Sequence, residues 1–304
     1  MRGSTGAVAP GRASAGLEPG VPAASAVMDK AGRENFPVAS RLLPREDREH
    51  LLAVYGFARL VDDLGDEAPG DRGRLLDWLE GELDRVYDGS ATRPLMLRLA
   101  ATVRARDLPR EPFQRLTQAN RQDQAVARYE TYADLGSYCE LSANPVGHLV
   151  LHVLRAATPL RMKLSDDVCT GLQLTEHWQD VAEDFGRGRV YLPREDMARF
   201  GCSENDLAGP RATPAFRRLM AFQVARAHGL LARGAPLARD LGGRAGFAVA
   251  AFVAGGRAAL DAIERAGFDV LGRRPRPSRA YGLWVLARTL AGSWRPWSEG
   301  NGAR

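Results

Sequence analysis

Three carboxylates, Glu176, Asp180 and Asp184, recur at every fourth position in a segment that otherwise has the character of a buried helix. In a helix this spacing places all three along one face, where like charges destabilise by about 0.2–0.5 kcal/mol per pair. Neither Lys nor Arg occurs between Glu176 and Asp184 to relieve that repulsion. The row is therefore predicted to have a partner from outside the segment, and a bound cation fits that role.

A second acidic pair, Asp62 and Asp66, has the same spacing, and Arg59 lies three residues before it. The stretch "APGDRG" at 68–73 follows, so the pair lies near a helix C-terminus. The helix dipole disfavours negative charge there by about 0.3–1 kcal/mol per group. Mg²⁺ prefers carboxylate oxygens and water, and it often bridges to substrate phosphates. Two such acidic faces across a cavity predict Mg²⁺ ions that hold a diphosphate; the alternative is a pair of solvated acidic helix ends.

The elements that must position these acids are helical. From about residue 45 onward, apolar residues recur at intervals of three and four, as in "REHLLAVYGFARLVDDL", and Pro and Gly mark the breaks. Strand-like alternation is nearly absent, and "RGRVYLP" is the one candidate for a short extended stretch. The pattern predicts one all-α domain over 29–290. The Gly-, Ala-, Pro- and Ser-rich residues 1–28 are expected to form a disordered tail, and 291–304 a mobile one.

The bulk composition narrows the classes of partner. The chain has a formal net charge of +5, and Lys30 and Lys163 are its only lysines, so nearly all of its positive charge comes from Arg. This charge reflects either an Arg-rich composition or an anionic partner, such as a diphosphate or an acidic membrane face. Basic residues are not clustered among aromatic ones, so nucleic acid is not an expected partner.

Cysteine usage and hydropathy bear on location. Three cysteines lie far apart without C-x-x-C spacing, which indicates reduced thiols in a cytoplasmic protein. No apolar run reaches the roughly 20 residues that span a bilayer, and a secretory signal is not expected. "SWRPWSEG" near the end, with Trp284 upstream, is a candidate anchor at a membrane interface, with ordinary packing as the alternative. The expected location is the cytoplasm, with peripheral contact at the inner face of the membrane left open.

Three segments resemble the motifs of the squalene/phytoene synthase family. "VYGFARLVDDLGDE" resembles its first Asp-rich motif, with Arg59, Asp62 and Asp66 at the matching positions. "YCELSANPVGHLVL" resembles a second segment and places Tyr138 at the active-site tyrosine. "QLTEHWQDVAEDFGRGRVYLP" resembles the second Asp-rich motif and the R-G-R-x-Y-L-P that follows it. The resemblance covers about residues 33–280.

This resemblance implies an isoprenoid synthase fold, in which helices surround a central cavity. The implied Mg²⁺ ligands are Asp62, Asp66, Glu176, Asp180 and Asp184. The four aspartates and Tyr138 are the implied catalytic residues. The implied substrate-binding residues are Asn35, Phe36, Tyr55, Arg59, Gln173 and Arg189. A carbocation needs a dry, aromatic-lined cavity, for which Phe36, Tyr55, Tyr138 and Trp178 are candidates; plain core packing is the alternative for each.

The chain departs from the family pattern at three places. Glu176 replaces an Asn of the second motif, "RENF" at 33–36 replaces S-x-S-F, and Gly256 replaces a tyrosine near the C-terminal "LD". The stretches "ENFPVASRLLP" and "HWQD" resemble one subgroup, the HpnC-type enzymes of bacterial hopanoid biosynthesis. That resemblance implies conversion of presqualene diphosphate to hydroxysqualene, between a presqualene diphosphate synthase and a downstream oxidoreductase.

Alternatives remain at this point. Water quench of the carbocation would give an alcohol, and hydride quench would give squalene. No dinucleotide fingerprint is present, so no nicotinamide cofactor is expected. A second enzymatic alternative is condensation of two farnesyl diphosphates. A non-catalytic relative that acts in binding or assembly is the alternative outside the enzymes, and retention of all four aspartates argues against it.

Overall fold

The computed structural model describes residues 20–32 and 43–292, and this part of the chain is built from α-helices. Two short segments have other helical geometries, a tighter 3-10 turn at Lys30–Gly32 and a wider π turn at Asp63–Glu67. Within the described ranges, β-type pairing is limited to one bridge between Arg128 and Val190. The helices are α1 (Ala24–Asp29), α2 (Arg45–Asp62), α3 (Arg72–Asp88), α4 (Pro94–Arg106), α5 (Glu111–Asp123), α6 (Tyr132–Ser142), α7 (Asn144–Val153), α8 (Pro159–Gln179), α9 (Val181–Gly186), α10 (Arg194–Phe200), α11 (Glu204–Leu207), α12 (Pro214–Gly234), α13 (Pro236–Leu241), α14 (Gly243–Arg265) and α15 (Arg279–Leu290).

Helix starts follow from side-chain caps that the sequence provides. Thr131 and Asp134 form a reciprocal capping box at the start of α6. Thr158 accepts a hydrogen bond from the backbone at the start of α8, and Ser278 does the same for α15. Such caps satisfy amides that have no partner within the helix and contribute about 0.5–2 kcal/mol each. The all-α fold expected from the sequence is confirmed.

Two large buried apolar clusters, and a small third one between α14 and α15, stabilise the described domain. The first gathers side chains from α1 to α5 and α7, and Phe57 and Phe113 meet edge to face within it at a centroid distance of 5.0 Å. The second gathers side chains from α5, α6, α8 to α12 and α14, around Trp178 and Phe216. Each fully buried Leu or Phe adds about 1.5–3 kcal/mol. Helix α5 contributes to both clusters, so the space beside α5 lies between them.

Helices α8 and α12 pack closely because small residues face the contact. A Cβ on Gly234 would lie 2.6 Å from Val168 and 2.8 Å from the carbonyl oxygen of Leu164. A Cβ on Gly171 would lie 2.9 Å from Leu231. Side chains of any size at these positions would push the two helices apart. This contact fixes α8, the helix that carries the second acidic row.

The expected disordered tail at 1–28 is wrong for residues 20–28. Helix α1 is present at Ala24–Asp29, and Val27 is fully buried against the first apolar cluster. Lys30 then forms ion pairs of 2.8 Å with Asp63 and Glu67. Apolar burial and these charges together offset the entropy of ordering the segment, which composition alone does not reveal. Residues 1–19, and 293–304 of the expected C-terminal tail, lie outside the described residues.

Candidate active site

A cavity of about 310 Å³ lies beside α5, where the two apolar clusters meet. Its walls come from the end of α2, the π turn, α5, α6, α8, α9 and the segment after α9. Residues more than 120 positions apart in the chain therefore face one another across it. Of the residues singled out in the sequence, those that line it are Asp62, Asp66, Tyr138, Gln173, Glu176, Asp180, Asp184 and Arg189.

The first acidic motif spans the end of a helix and a wide turn. Helix α2 ends at Asp62, and the five-residue π turn carries the chain on to Asp66. A Cβ on Gly65 would overlap the side chain of Asn120, so the turn needs a glycine to lie against α5. Both motif aspartates reach the cavity in this way, although only Asp62 belongs to the α-helix.

Arg59, which the sequence analysis expects at the substrate, forms ion pairs with two acids of the π turn. Its Nη2 atom lies 2.6 Å from Asp63 and 2.8 Å from Glu67, two acids that alternate with the motif aspartates. Asp63 is buried and also pairs with Lys30. Arg59 is not among the described residues that line the cavity, so it supports the turn that carries Asp66.

The second acidic row is divided between two helices. Helix α8 ends at Gln179, and Asp180 has φ −107° and ψ 12° before α9 begins. The amide of Asp180 donates to the carbonyl of Glu176 at 3.0 Å, and that of Asp184 to the carbonyl of Asp180 at 2.8 Å. These hydrogen bonds keep the helical spacing across the break. The predicted continuous helix is therefore interrupted, yet all three acids line the same cavity.

Three of the four motif aspartates have a hydrogen-bonding or charged partner within the chain, which corrects the premise that the acids stand unpaired. Each partner comes from a distant or differently oriented segment, so none was visible from the local sequence. Asp66 and Asp180 pair with guanidinium groups, and Asp62 accepts a hydrogen bond. The partners are Asn120 for Asp62 (3.3 Å), Arg189 for Asp66 (3.1 Å) and Arg274 for Asp180 (2.8 Å). Asp184 lies 4.0 Å from His177.

Burial raises the pKa of several of these carboxyl groups. The pKa of Asp184 rises to about 7, through burial first and the charge of Asp180 second. Burial raises the pKa of Asp123 to about 6 and that of Asp180 as well, while Arg274 partly offsets the rise at Asp180. The protein packed around Asp62 raises its pKa to about 7, but the side chain is exposed within the cavity, and solvent there moderates the rise. The site therefore holds negative charge at a cost that a cation would remove.

Asp184→Asn is expected to stabilise the fold at alkaline pH when divalent ions are removed. The Asp184 side chain is 18% exposed, and its folded-state pKa of about 7 exceeds the ordinary 3.8. Stability from this group is present below pH 3.8 and lost as pH rises through about 7. Asparagine carries no such loss, so thermal unfolding in EDTA should show a gain of about 1 kcal/mol or more, about 2–4 °C, at pH 8.

The gain in stability of Asp184→Asn over the parent protein should shrink as the pH is lowered from 7 towards 4. Glu183→Gln is the matched control, because Glu183 is exposed, adjacent in sequence and paired with Arg187 at 2.8 Å. A stability difference between Asp184→Asn and the parent protein that does not change with pH would contradict the burial argument.

Eight residues that the sequence analysis did not single out also line the cavity, among them Asn120, Asp123, His177 and Tyr191. Asn120 and Asp123 lie on α5 at a spacing of three, which places both on the face towards the cavity. The Tyr138 hydroxyl donates to Asp123 at 2.8 Å. His177 and Tyr191 stack with centroids 3.7 Å apart. The "NRQD" spacing was a usable signal for the α5 pair, but an acid and an amide in a polar stretch are common on solvated helix faces.

An aromatic wall adjoins the acidic side of the cavity. Tyr191 lies 5.8 Å from both Tyr129 and Tyr138, and Tyr129 lies 5.5 Å from Tyr138, between ring centroids. His177 completes the wall, and burial lowers its pKa to about 3, with Arg189 as a second cause. The imidazole is therefore neutral, and the wall presents π faces without positive charge.

Other expected residues lie elsewhere. Trp178 is fully buried in the second apolar cluster, and Tyr55 is half-buried on α2; neither is among the described residues that line the cavity. Asn35 and Phe36 lie outside the described residues. Gly256, which stands where the family has a tyrosine, is buried, and a Cβ there would lie 2.8 Å from Leu172. Packing has closed the space that a larger side chain would occupy.

Comparison with known proteins agrees with this architecture. The crystal structure of the squalene synthase HpnC from Alicyclobacillus acidocaldarius matches with a TM-score of 0.75 and 41% identity, over 81% of this chain and 95% of that one. A dehydrosqualene synthase structure matches with a TM-score of 0.78, over 88% of this chain and 95% of that one; at 24% identity it supports the fold alone. A helical domain with two acidic motifs on one cavity is thus an isoprenoid synthase fold of the squalene synthase type.

Sequence comparison gives the family. The sequence pattern of squalene/phytoene synthase matches residues 29–281, and the chain belongs to this family of enzymes. A hydroxysqualene synthase from Rhodopseudomonas palustris is 33% identical over 209 residues, 68% of this chain and 71% of that protein. A phytoene synthase from Thermus thermophilus is 33% identical over 277 residues, 90% of this chain and 93% of that protein. The family resemblance seen in the motifs is confirmed.

Proposed function

We propose that this enzyme converts presqualene diphosphate to hydroxysqualene, with Mg²⁺, as a step of hopanoid biosynthesis. The observation that carries the proposal is the cavity itself, where five carboxylates from two motifs lie beside a wall of neutral aromatic rings. Relatives named hydroxysqualene synthase and a 41%-identical structure named squalene synthase HpnC support this choice of substrate class.

The donor set fits Mg²⁺. Carboxylate oxygens are the ligands that this cation prefers, and the cavity collects them from Asp62, Asp66, Glu176, Asp180 and Asp184. The Oδ1 atoms of Asp123 and Asp180 are buried and accept no hydrogen bond from the described residues. Their burial raises the pKa of both carboxyl groups, and a divalent cation would stabilise the ionised forms. Bound Mg²⁺ supplies charge stabilisation for a departing diphosphate.

The chain's own residues divide the remaining work between the two sides of the cavity. On the acidic side, Arg189 lies 3.1 Å from Asp66 and can also orient phosphate oxygens, which arginine forks bind well. On the other side, Tyr138, Tyr191 and neutral His177 present ring faces that favour a cationic carbon skeleton.

The test is product identification with purified protein, presqualene diphosphate and Mg²⁺ in ¹⁸O-labelled water. We expect an alcohol that carries one ¹⁸O atom, found by mass spectrometry, because no nicotinamide is required and water is the terminal nucleophile. Omission of Mg²⁺ is the control and should abolish diphosphate release. A hydrocarbon that forms only with a nicotinamide cofactor would overturn the water-quench assignment.

Condensation of two farnesyl diphosphates is the second candidate. The observation in its favour is the phytoene synthase relative, which matches 90% of this chain. The same assay with farnesyl diphosphate as sole substrate separates the two reactions. A non-catalytic role, the third alternative from the sequence, is not retained, because the relatives matched over most of the chain are synthases.

We further propose a cytoplasmic enzyme in peripheral contact with the inner face of the membrane, between a presqualene diphosphate synthase and an oxidoreductase, with no nucleic-acid partner. Leu283, Trp284 and Leu290 are exposed on α15, and an apolar product of this size partitions into lipid. Helix α14 is long and apolar enough to span a bilayer, but 67% of its most apolar window is buried inside the fold, as in a core helix.

A further inference from the structure

Arg274 lies against the second acidic motif from a loop that follows α14. Its Nε atom is 2.8 Å from Asp180 Oδ1, and the two side chains are 28% and 23% exposed. The same Oδ1 atom is buried and accepts no hydrogen bond from the described residues, so the pair with Arg274 is held by charge and not by a directed N–H···O contact. A guanidinium therefore occupies the neighbourhood of an oxygen that the proposed function assigns to a cation.

The loop that carries Arg274 is anchored at both sides of it. Before it, Asp269 accepts hydrogen bonds from the Ala212 amide at 3.2 Å and from Arg217 at 3.1 Å. After it, the Gln179 side chain donates to the carbonyl of Pro275 at 2.9 Å. Gln179 is the last residue of α8 and precedes Asp180 directly. The backbone is thus fixed beside the motif, and the long Arg274 side chain is the part that can move.

A second cavity provides space into which the Arg274 side chain can rotate. It has a volume of about 500 Å³, and Arg274 is one of the described residues that line it, whereas Asp180 is not. None of the described residues that line it is acidic. Those residues are Ala262, Arg265, Ala266, Arg273, Arg274, Pro275, Arg276 and Ser278. Such a surface repels a free cation and attracts an anion.

We propose that Arg274 is a built-in counter-ion of Asp180, which gives up the carboxylate to a divalent cation only when a diphosphate binds with it. This inference rests on the proposed function and concerns the regulation of the same site. A guanidinium and a metal ion cannot share Asp180 Oδ1, and a guanidinium left beside a bound cation would be repelled. A phosphate oxygen gives the released guanidinium a new partner of the same charge as the one it loses.

The consequence is coupling between cation and diphosphate. Divalent ions alone must displace Arg274 without compensation, so they bind weakly. With a diphosphate present, the displaced side chain is compensated, so the cation binds tightly. The active site would then bind divalent cations tightly only when the diphosphate group of the substrate is present.

The experiment measures Mn²⁺ binding by electron paramagnetic resonance of the unbound ion, with and without inorganic pyrophosphate. Without pyrophosphate, Arg274→Gln should bind Mn²⁺ at least about 5-fold more tightly than the parent protein, and pyrophosphate should enhance its binding correspondingly less. Arg274→Lys keeps the positive charge, so its affinity for Mn²⁺ should stay close to that of the parent protein. Arg273→Gln removes one charge from the same cavity without the Asp180 contact, and its affinity for Mn²⁺ alone should change by less than about 2-fold.

Thermal unfolding checks that each variant is folded, and Arg274→Met, which keeps the aliphatic stem, replaces Arg274→Gln if the latter melts early. Unchanged or weaker Mn²⁺ binding in the neutral variant overturns the inference. An equal gain in Arg273→Gln also overturns it, because general charge removal would then explain the result. If the parent protein binds no Mn²⁺ even with pyrophosphate, the metal part of the proposed function fails instead.

Discussion

Asp180→Asn is expected to lower turnover of presqualene diphosphate by at least about 100-fold, measured as diphosphate release at saturating Mg²⁺. The amide has one oxygen and no charge, so it replaces a strong ligand for a hard cation with a weak one. A loss of about 2.7 kcal/mol of transition-state stabilisation corresponds to that factor. Asp62→Asn should have an effect of the same order, because Asp62 faces the same cavity from the first motif.

The control for this result is Glu183→Gln. Glu183 lies between Asp180 and Asp184 in sequence, is exposed and is not among the described residues that line the cavity, although its partner Arg187 is. Its removal should change turnover by less than about 2-fold, as for a surface ion pair. Thermal unfolding of Asp180→Asn should match or exceed the parent protein, since the raised pKa of Asp180 shows that burial disfavours its charge. An Asp180→Asn variant that unfolds, or one that keeps full turnover, would contradict the assignment.

The sequence indicated the two acidic groups that line the cavity, because the members of each group lie at helical spacing from one another. Asp62 with Asp66, and Glu176 with Asp180 and Asp184, each lie within one or two helical turns. Helical periodicity was enough to place each group on one side of its own segment. That the two groups share a cavity came from the family resemblance, and the structure shows both groups on its walls.

The partners of those acids could not be predicted in the same way. Arg189 and Arg274 reach Asp66 and Asp180 across 123 and 94 residues, and a chain with 42 basic residues offers many equivalent candidates. The contacts of Arg59 illustrate the same limit. Arg59 pairs with Asp63 at ordinary helical spacing, but its second partner, Glu67, is brought to it by the π turn. Residue spacing predicts which side chains are neighbours only while the α-helix continues, and functional sites often interrupt a helix.

The short helix α1 was not predicted from the sequence, for a related reason. Its six residues carry too few apolar positions to show a period, and its stability comes from one buried valine and from the ion pairs of Lys30. Helices of this length are marginal alone and form through tertiary contacts. The same contacts hold the π turn from outside, so this N-terminal segment supports the first acidic motif.

Glu176→Leu is expected to raise the Mg²⁺ concentration needed for half-maximal turnover by about 10-fold or more, while Glu176→Asn remains active with a much smaller change. Glu176 lines the cavity one helical turn before Asp180, and its carbonyl accepts the Asp180 amide at 3.0 Å. Its side chain is therefore held on the same side as the two aspartates. A carboxylate or an amide can ligate a hard cation through oxygen, whereas leucine cannot. A tenfold change corresponds to about 1.4 kcal/mol.

Glu183→Leu serves as the matched control, because it removes a glutamate from the same segment but from outside the cavity, and it should leave the Mg²⁺ dependence unchanged. The competing hypothesis is that Glu176 pairs with an arginine from another helix and only shapes the wall. Under that hypothesis, Glu176→Leu would lower stability and leave the Mg²⁺ requirement where it was. Titration of turnover with Mg²⁺ for the three variants therefore decides whether the second acidic row supplies three ligands to the cation or two.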